Sequence, residues 1–179
     1  MLVTMKEILD RAKKDNYGVT SIMVDRSSLS YEDNIAQTKE TVKMCRPLNI
    51  SVEAELGHVG QSEDYSSDGS DHFTKPEEVK KFVEETGIDC LAVAIGTAHG
   101  RYHGTPHIDF DLLKQITDVV DIPLVLHGGS GTGDENLRKA VKNGIQKVNL
   151  ATELVVAGKE ELETFIQDKN FDKWQLIPS

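Results

Sequence analysis

The sequence predicts an α/β fold made of repeated βα units around a parallel sheet. Three observations predict it: five short apolar runs, helical periodicity between them, and regular spacing. The runs are Thr20–Asp25, Ser51–Leu56, Cys90–Ile95, Pro123–Gly128 and Lys147–Thr152. Each is rich in Val, Ile, Leu or Ala without clean alternation, as strands covered on both faces should be. They begin at 20, 51, 90, 123 and 147, so successive starts lie 31, 39, 33 and 24 residues apart. That is the rhythm of strand–helix repeats.

The intervening segments carry helical signals. Val79, Phe82 and Val83 lie at i, i+3 and i+4, and Leu112, Leu113, Ile116 and Val120 form a second stripe. Thr74-Lys-Pro-Glu77 and Thr132-Gly-Asp-Glu135 fit the capping-box pattern, and Asp109 is an expected N-cap before Phe110. Gly87 and Gly144 sit where helices should stop. The stretch from Gly57 to Phe73 is different: glycines, serines and the acids Glu63, Asp64, Asp68 and Asp71 make a long polar loop. Such a loop after a strand reads either as functional or as a disordered surface segment.

Composition narrows the partners. The chain has 179 residues, 38% of them apolar, enough for one domain with a core. A net charge of −10 and the lack of a Lys/Arg block argue against nucleic acid or an anionic membrane surface as partner. An anionic small molecule stays open, because a few amides and cations can hold a phosphate on an acidic protein. No apolar run reaches the length of a membrane span, and the N-terminus has no signal-peptide core. Cys45 and Cys90 are far apart and lack metal-ligand spacing, so two buried thiols in a cytoplasmic protein are expected.

Polar residues gather after the C-terminal ends of the predicted strands, where barrel enzymes keep their sites. His99 and His127 follow successive strands, and closing a parallel sheet would bring both into one mouth. Neutral imidazoles suit Zn2+, although each histidine alone reads equally well as a hydrogen-bonded loop residue. Gly128-Gly-Ser130 precedes a helix, and glycines there let backbone N–H groups approach an anion; a tight packing turn is the alternative.

Four segments together carry a resemblance. Ser51-Val-Glu-Ala-Glu-Leu-Gly57, Ala92-Val-Ala-Ile-Gly-Thr-Ala-His-Gly100, Pro123-Leu-Val-Leu-His-Gly-Gly-Ser-Gly131 and Lys147-Val-Asn-Leu-Ala-Thr-Glu153 resemble the class II fructose-bisphosphate and tagatose-bisphosphate aldolases. The likeness runs from about Thr20 to Glu163. It implies a TIM-type (β/α) barrel, partial, with about five parallel strands. The expected layout is an N-terminal helix over 1–19, retained βα units over 20–168 and a tail over 169–179.

The resemblance implies a zinc-dependent aldehyde-lyase that reversibly cleaves fructose 1,6-bisphosphate to dihydroxyacetone phosphate and glyceraldehyde 3-phosphate. Tagatose bisphosphate, or sugar-phosphate binding without catalysis, is the alternative. His99 and His127 would be two of three ligands to catalytic Zn2+. Asp25 and Glu55 would hold a second cation, divalent or monovalent. Glu63 would remove the substrate proton. Gly100, Gly128, Gly129, Ser130, Asn149, Leu150, Ala151 and Thr152 would hold dihydroxyacetone phosphate. His103 and His107 read as surface histidines.

Family members carry eight strands and a His-Leu-Asp-His-Gly type motif that supplies a catalytic Asp and the remaining zinc His. Nothing in this chain matches that motif. Met1 to about Tyr17 resembles the family's opening helix, after which the sequence passes directly to fourth-strand material. Roughly eighty residues with three strands are therefore expected to be absent from a barrel of about 250. Five strands cannot close such a barrel, so the sheet edges are expected to be covered by a homo-oligomer or by Met1–Asn16 folding back as a helix.

Overall fold

The computed structural model describes residues 7, 9–10, 18–60, 72–102 and 104–167. Five strands alternate with helices: β1 Ser21–Val24, α1 Tyr31–Cys45, β2 Ser51–Leu56, α2 Pro76–Thr86, β3 Cys90–Val93, α3 Phe110–Thr117, β4 Leu124–Leu126, α4 Asp134–Lys142, β5 Ile145–Val148 and α5 Thr152–Gln167. A short 3-10 turn, Arg46–Leu48, follows α1. The sheet order is β1-β2-β3-β4-β5 and every pair is parallel. Parallel neighbours in chain order are what repeated right-handed crossovers produce. Among the described residues no helix is long and apolar enough to cross a membrane.

Alternation along each strand assigns the two faces of the sheet. Val52, Ala54, Leu56, Leu91, Val93, Leu124 and Leu126 face the helices and form the core with Ile35, Val42, Val79, Phe82, Leu113 and Ile116. Phe82, Leu113 and Ile116 are fully buried, so both helical stripes seen in the sequence are core stripes. The other face carries Met23, Glu53, Glu55, Cys90, Ala92, Val125 and Lys147. Small Cys90 and Ala92 on the middle strand leave room for long polar side chains to meet across it.

Several sequence expectations shift. The fifth strand was expected over Lys147–Thr152 but spans Ile145–Val148, and Thr152 opens α5. A register irregularity between Leu124 and Val125 accompanies that earlier start. Neither expected capping box forms. Lys75 and Gly133 are the N-caps of α2 and α4, without a side-chain cap bond. Thr74 instead donates to Leu56 O and accepts from Ala94 N at 2.8 Å, and Thr132 donates to Gly128 O at 3.1 Å. The Thr74 hydroxyl ties the ends of β2 and β3 together, whereas that of Thr132 closes the loop after β4 on itself. Asp109 does cap α3, accepting from Leu112 N at 2.8 Å, and Gly87 ends α2 at φ +69°. Cys45 is buried, but Cys90 is half-buried rather than fully so. Of the expected N-terminal helix, Glu7, Leu9 and Asp10 are described as helical, and Leu9 joins the core. The expected tail over 169–179 lies outside the described residues.

Candidate active site

The polar face of β2 begins the site. Glu53 and Glu55 are two residues apart, so they point the same way, and both are almost fully buried. A buried carboxylate must be paired or hydrogen-bonded. Glu53 accepts from His127 Nε2 at 2.8 Å and forms an ion pair with Lys147 of β5. The Glu53 carboxyl is buried, which would raise its pKa, yet the His127 and Lys147 contacts hold it below the usual carboxylate range. Lys147 of β5 thus reaches β2 across two intervening strands, which only a strongly curved sheet allows.

His127 follows β4 and is buried. Its Nε2 is fixed by Glu53, and its Nδ1 lies 3.1 Å from Glu55 Oε2. Burial would lower the imidazole pKa, but Glu53 and then Glu55 outweigh it and raise it to about 9. Glu55 Oε2 is buried and has no well-aligned hydrogen bond, and its partner across the 3.1 Å gap is the His127 ring, as an ion pair when that ring is protonated. Its other oxygen is satisfied: Oε1 accepts from Ser27 Oγ at 3.0 Å and Val59 N at 3.0 Å.

Ser27 is a hub. Its Oγ lies 2.7 Å from Asp25 Oδ1, 3.0 Å from Glu55 Oε1 and 2.9 Å from His58 Nδ1, and so links the acid after β1 to the acid near the end of β2. His99 follows β3, and its ring centroid stands 5.8 Å from that of His127. Its backbone N–H donates to Gly60 O at 2.9 Å, anchoring the β3 loop to the root of the β2 loop.

Asp25, Glu55, His99, Gly100, His127, Gly128, Ser130, Asn149, Ala151 and Thr152 all line one cavity of about 360 Å3, with Met23 and Ala98. Gly129 and Leu150 are chain neighbours of that lining; Gly129 is buried and Leu150 exposed. Glu63 and His103 lie outside the described residues, and His107 is on the surface as expected. A second cavity, of about 380 Å3, shares Gly100, Ser130 and Thr152 and adds Arg101, Tyr102 and Glu153. Ser130 Oγ accepts from Ala151 N at 3.0 Å and Glu153 N at 3.3 Å at the start of α5.

Gly128 is required by geometry. It adopts φ +65°, and a Cβ there would stand 2.3 Å from Ala98 O. Tyr102 closes the same junction: its hydroxyl lies 2.7 Å from Ala98 O and 2.9 Å from Gly128 O, and accepts from Ala98 N at 2.6 Å. Burial raises the phenol pKa and outweighs its hydrogen bonds, keeping the proton that these carbonyls need. Glu53, Lys147, Ser27 and Tyr102 escaped the sequence reading. Glu53 alone had a usable signal, its period-2 partnership with Glu55 on a buried strand.

The donor set of imidazoles and carboxylates suits a divalent cation. Among the described residues, no three His, Cys, Asp or Glu side chains already gather around one point.

Comparison with known proteins agrees with this geometry. The family model for class II fructose-bisphosphate aldolase matches residues 3–179. The chain is similar in structure to the YdjI aldolase from Escherichia coli K12, at 38% identity and a TM-score of 0.77, covering 93% of this chain and 57% of that one. A putative fructose-1,6-biphosphate aldolase from Coccidioides immitis matches at 34% identity and a TM-score of 0.74, over 96% of this chain and 59% of that one. Fructose-bisphosphate aldolase from Campylobacter jejuni, 24% identical over 96% of this chain and 55% of that one, shares the fold at a TM-score of 0.71. This chain thus spans little more than half the length of these structures. With five parallel βα units and this motif match, the chain belongs to the class II fructose-bisphosphate aldolase family.

Proposed function

We propose that the mouth binds a phosphorylated ketose, and that its chemistry is the reversible cleavage of fructose 1,6-bisphosphate to dihydroxyacetone phosphate and glyceraldehyde 3-phosphate. One observation carries this reading: residues at or just beyond the C-terminal ends of all five strands converge on one 360 Å3 cavity. That volume suits a small polar ligand. His99 and His127 would hold Zn2+, which when bound supplies Lewis-acid polarisation of a ketone.

The chain's own residues do the rest. Glu53 holds His127 by Nε2, which turns Nδ1 toward Glu55 on the cavity wall. Ser130 Oγ engages the N–H groups of Ala151 and Glu153, donors that a substrate phosphate could share at the start of α5. Arg101, beside Gly100 in the adjoining cavity, offers a cation to the same anion. Fixing the phosphate fixes the reacting carbon relative to the cavity floor. By family resemblance, Glu63 takes the substrate proton. Asp25 and Glu55, bridged by Ser27, form the acidic wall.

A second reading is sugar-phosphate binding without turnover. It is favoured by the 57% coverage of the YdjI aldolase and by the lack of a match to the Asp/His motif. A missing acid–base group alone costs about 10²–10⁴ in rate. Isothermal titration with dihydroxyacetone phosphate and a coupled assay for triose phosphate release, with Zn2+ and a His127→Ala control, separate the two. Binding with little or no cleavage is expected of the isolated chain. Robust His127-dependent turnover supports the catalytic reading, and no binding at all overturns both.

A further inference from the structure

We propose that Tyr102 is a positioning residue of the mouth: its hydroxyl sets the spacing of the β3 and β4 loops, and so places the sugar end of a bound ketose phosphate. This rests on the reading of the mouth as a ketose phosphate site. Where Glu53 orients one ring, Tyr102 acts on two loops. It lies outside the four segments that carry the family resemblance, the second of which stops at Gly100.

The need for a clamp comes from the sheet. Pairing of β3 with β4 runs from Leu91–Leu124 to Ala92–Val125 and ends well short of the rim. Past that point no ladder fixes the distance between the two chains, and their backbone groups need other partners. Ala98, His99 and Gly100 on one side, and His127 and Gly128 on the other, line the mouth and all lie beyond the ladder.

Tyr102 supplies what the ladder does not. Gly100, at φ +101°, turns the chain back, and the phenol returns to Ala98. Its oxygen accepts from Ala98 N at 2.6 Å and lies 2.7 Å from Ala98 O and 2.9 Å from Gly128 O. Ala98 precedes His99 and Gly128 follows His127, so each bond falls beside an imidazole. Two carbonyls that converge on a part-buried point need a donor between them. The phenolic proton is that donor, and the Thr132 hydroxyl adds a second to Gly128 O at 3.1 Å. Without the phenolic oxygen the Ala98 N–H loses its acceptor, and the two carbonyls are left to repel each other.

The ring has a separate role. Its edge packs on Gly131, where a Cβ would stand 3.2 Å from Tyr102 Cδ2, and Gly131 N donates to Glu153 Oε1 at 2.9 Å. The ring thus supports the anion corner that Ser130 forms with Ala151 N and Glu153 N. The hydroxyl's bonds go to the rim instead. Removing the hydroxyl alone should therefore move the histidine loops and leave the anion corner in place.

The test is Tyr102→Phe in the full chain, which keeps the ring, with near-ultraviolet circular dichroism as the check on folding. Calorimetry measures the binding of dihydroxyacetone phosphate and of inorganic phosphate, and NMR follows the histidine ring signals. Affinity for dihydroxyacetone phosphate should fall about tenfold, through misplacement of the mouth. Affinity for inorganic phosphate should stay as in the wild type. The His99 and His127 signals should shift, while that of exposed His107 should not. Thr74→Val, which removes a buried hydroxyl between β2 and β3, should change neither affinity. Equal losses of both ligands in a folded protein would make the role merely structural and overturn the proposal, as would unshifted His99 and His127 signals. If the wild type binds no dihydroxyacetone phosphate, the ketose reading of the mouth fails, and the histidine signals alone decide on Tyr102. Amide exchange reads the clamp in the wild type itself. The Ala98 N–H should exchange slowly, and rapid exchange there sinks the proposal whether or not any variant folds.

Discussion

His127 sits between two buried carboxylates, and that position controls both its charge and its direction. Two anions on either side of an imidazole favour the imidazolium more than burial disfavours it, hence the pKa of about 9 without a cation. The stability consequence has a definite sign. A histidine raised from 6.5 stabilises the metal-free fold fully below pH 6.5, and this is lost as pH rises through about 9. Urea unfolding in the presence of a chelator should therefore show falling stability between those values, and His127→Ala should flatten the fall. Cation binding must displace the proton, so Zn2+ affinity should rise with pH across the same window. Glu53 is the positioning residue. Glu53→Gln removes the charge that orients His127 and pairs with Lys147, and should lower Zn2+ affinity by about 10–100-fold. Chelator competition reads this directly. Burial and then Glu53 push the Cys90 thiol up to about 11, so it stays protonated at neutral pH in the metal-free protein.

At the scale of elements, strand ends are fastened to one another by side chains that sequence patterns assign to helix caps. Thr74 bridges Leu56 O and Ala94 N between β2 and β3. Thr74→Val keeps the shape and removes the hydroxyl, leaving a buried N–H and C=O unpaired. It should destabilise by about 1–3 kcal/mol, measured by chemical denaturation. The β3 and β4 loops meet where Gly128 passes Ala98 and Tyr102 closes the contact. Gly128→Ala places a methyl group against a backbone carbonyl at a positive φ. The loops carrying His99 and His127 must then separate. Weaker Zn2+ and triose phosphate binding is expected, with a lower melting temperature.

Across the whole molecule, five strands form a curved arc rather than a closed barrel. The interior is braced by Glu53, which ties β2 to β4 and β5. The exterior is braced by helices, with Phe82 fully buried between α2 and the sheet. Phe82→Ala should cost about 3–5 kcal/mol, read from denaturation midpoints. The edges are less protected: among the described residues β1 and β5 each pair on one side only, and Leu154, Val155, Leu162 and Ile166 of α5 are exposed. Unpaired edges and exposed apolar side chains favour association. Light scattering should show a homo-oligomer whose size increases with concentration; a stable monomer at high concentration would contradict this.

The sequence by itself determined the five strands, the two core stripes and the family. Those signals are local: apolar runs, i, i+3, i+4 spacing around Phe82 and Leu113, and four contiguous motifs. It also named nearly all the cavity lining, because residues at the C-terminal ends of parallel strands must share one rim. Tertiary structure decided what depends on partners distant in sequence. Thr74 matches a capping pattern, but the backbone groups nearest its hydroxyl are at the ends of β2 and β3, so the hydroxyl goes there. The fifth strand begins at Ile145 because pairing with β4 sets its register. Glu53 finds His127 and Lys147, 74 and 94 residues away, only because the sheet curves and its middle strand is small-sided. The Glu55–His127 pair has the same origin. A strand's alternation shows which way a carboxylate points, but only the folded sheet sets what it meets there.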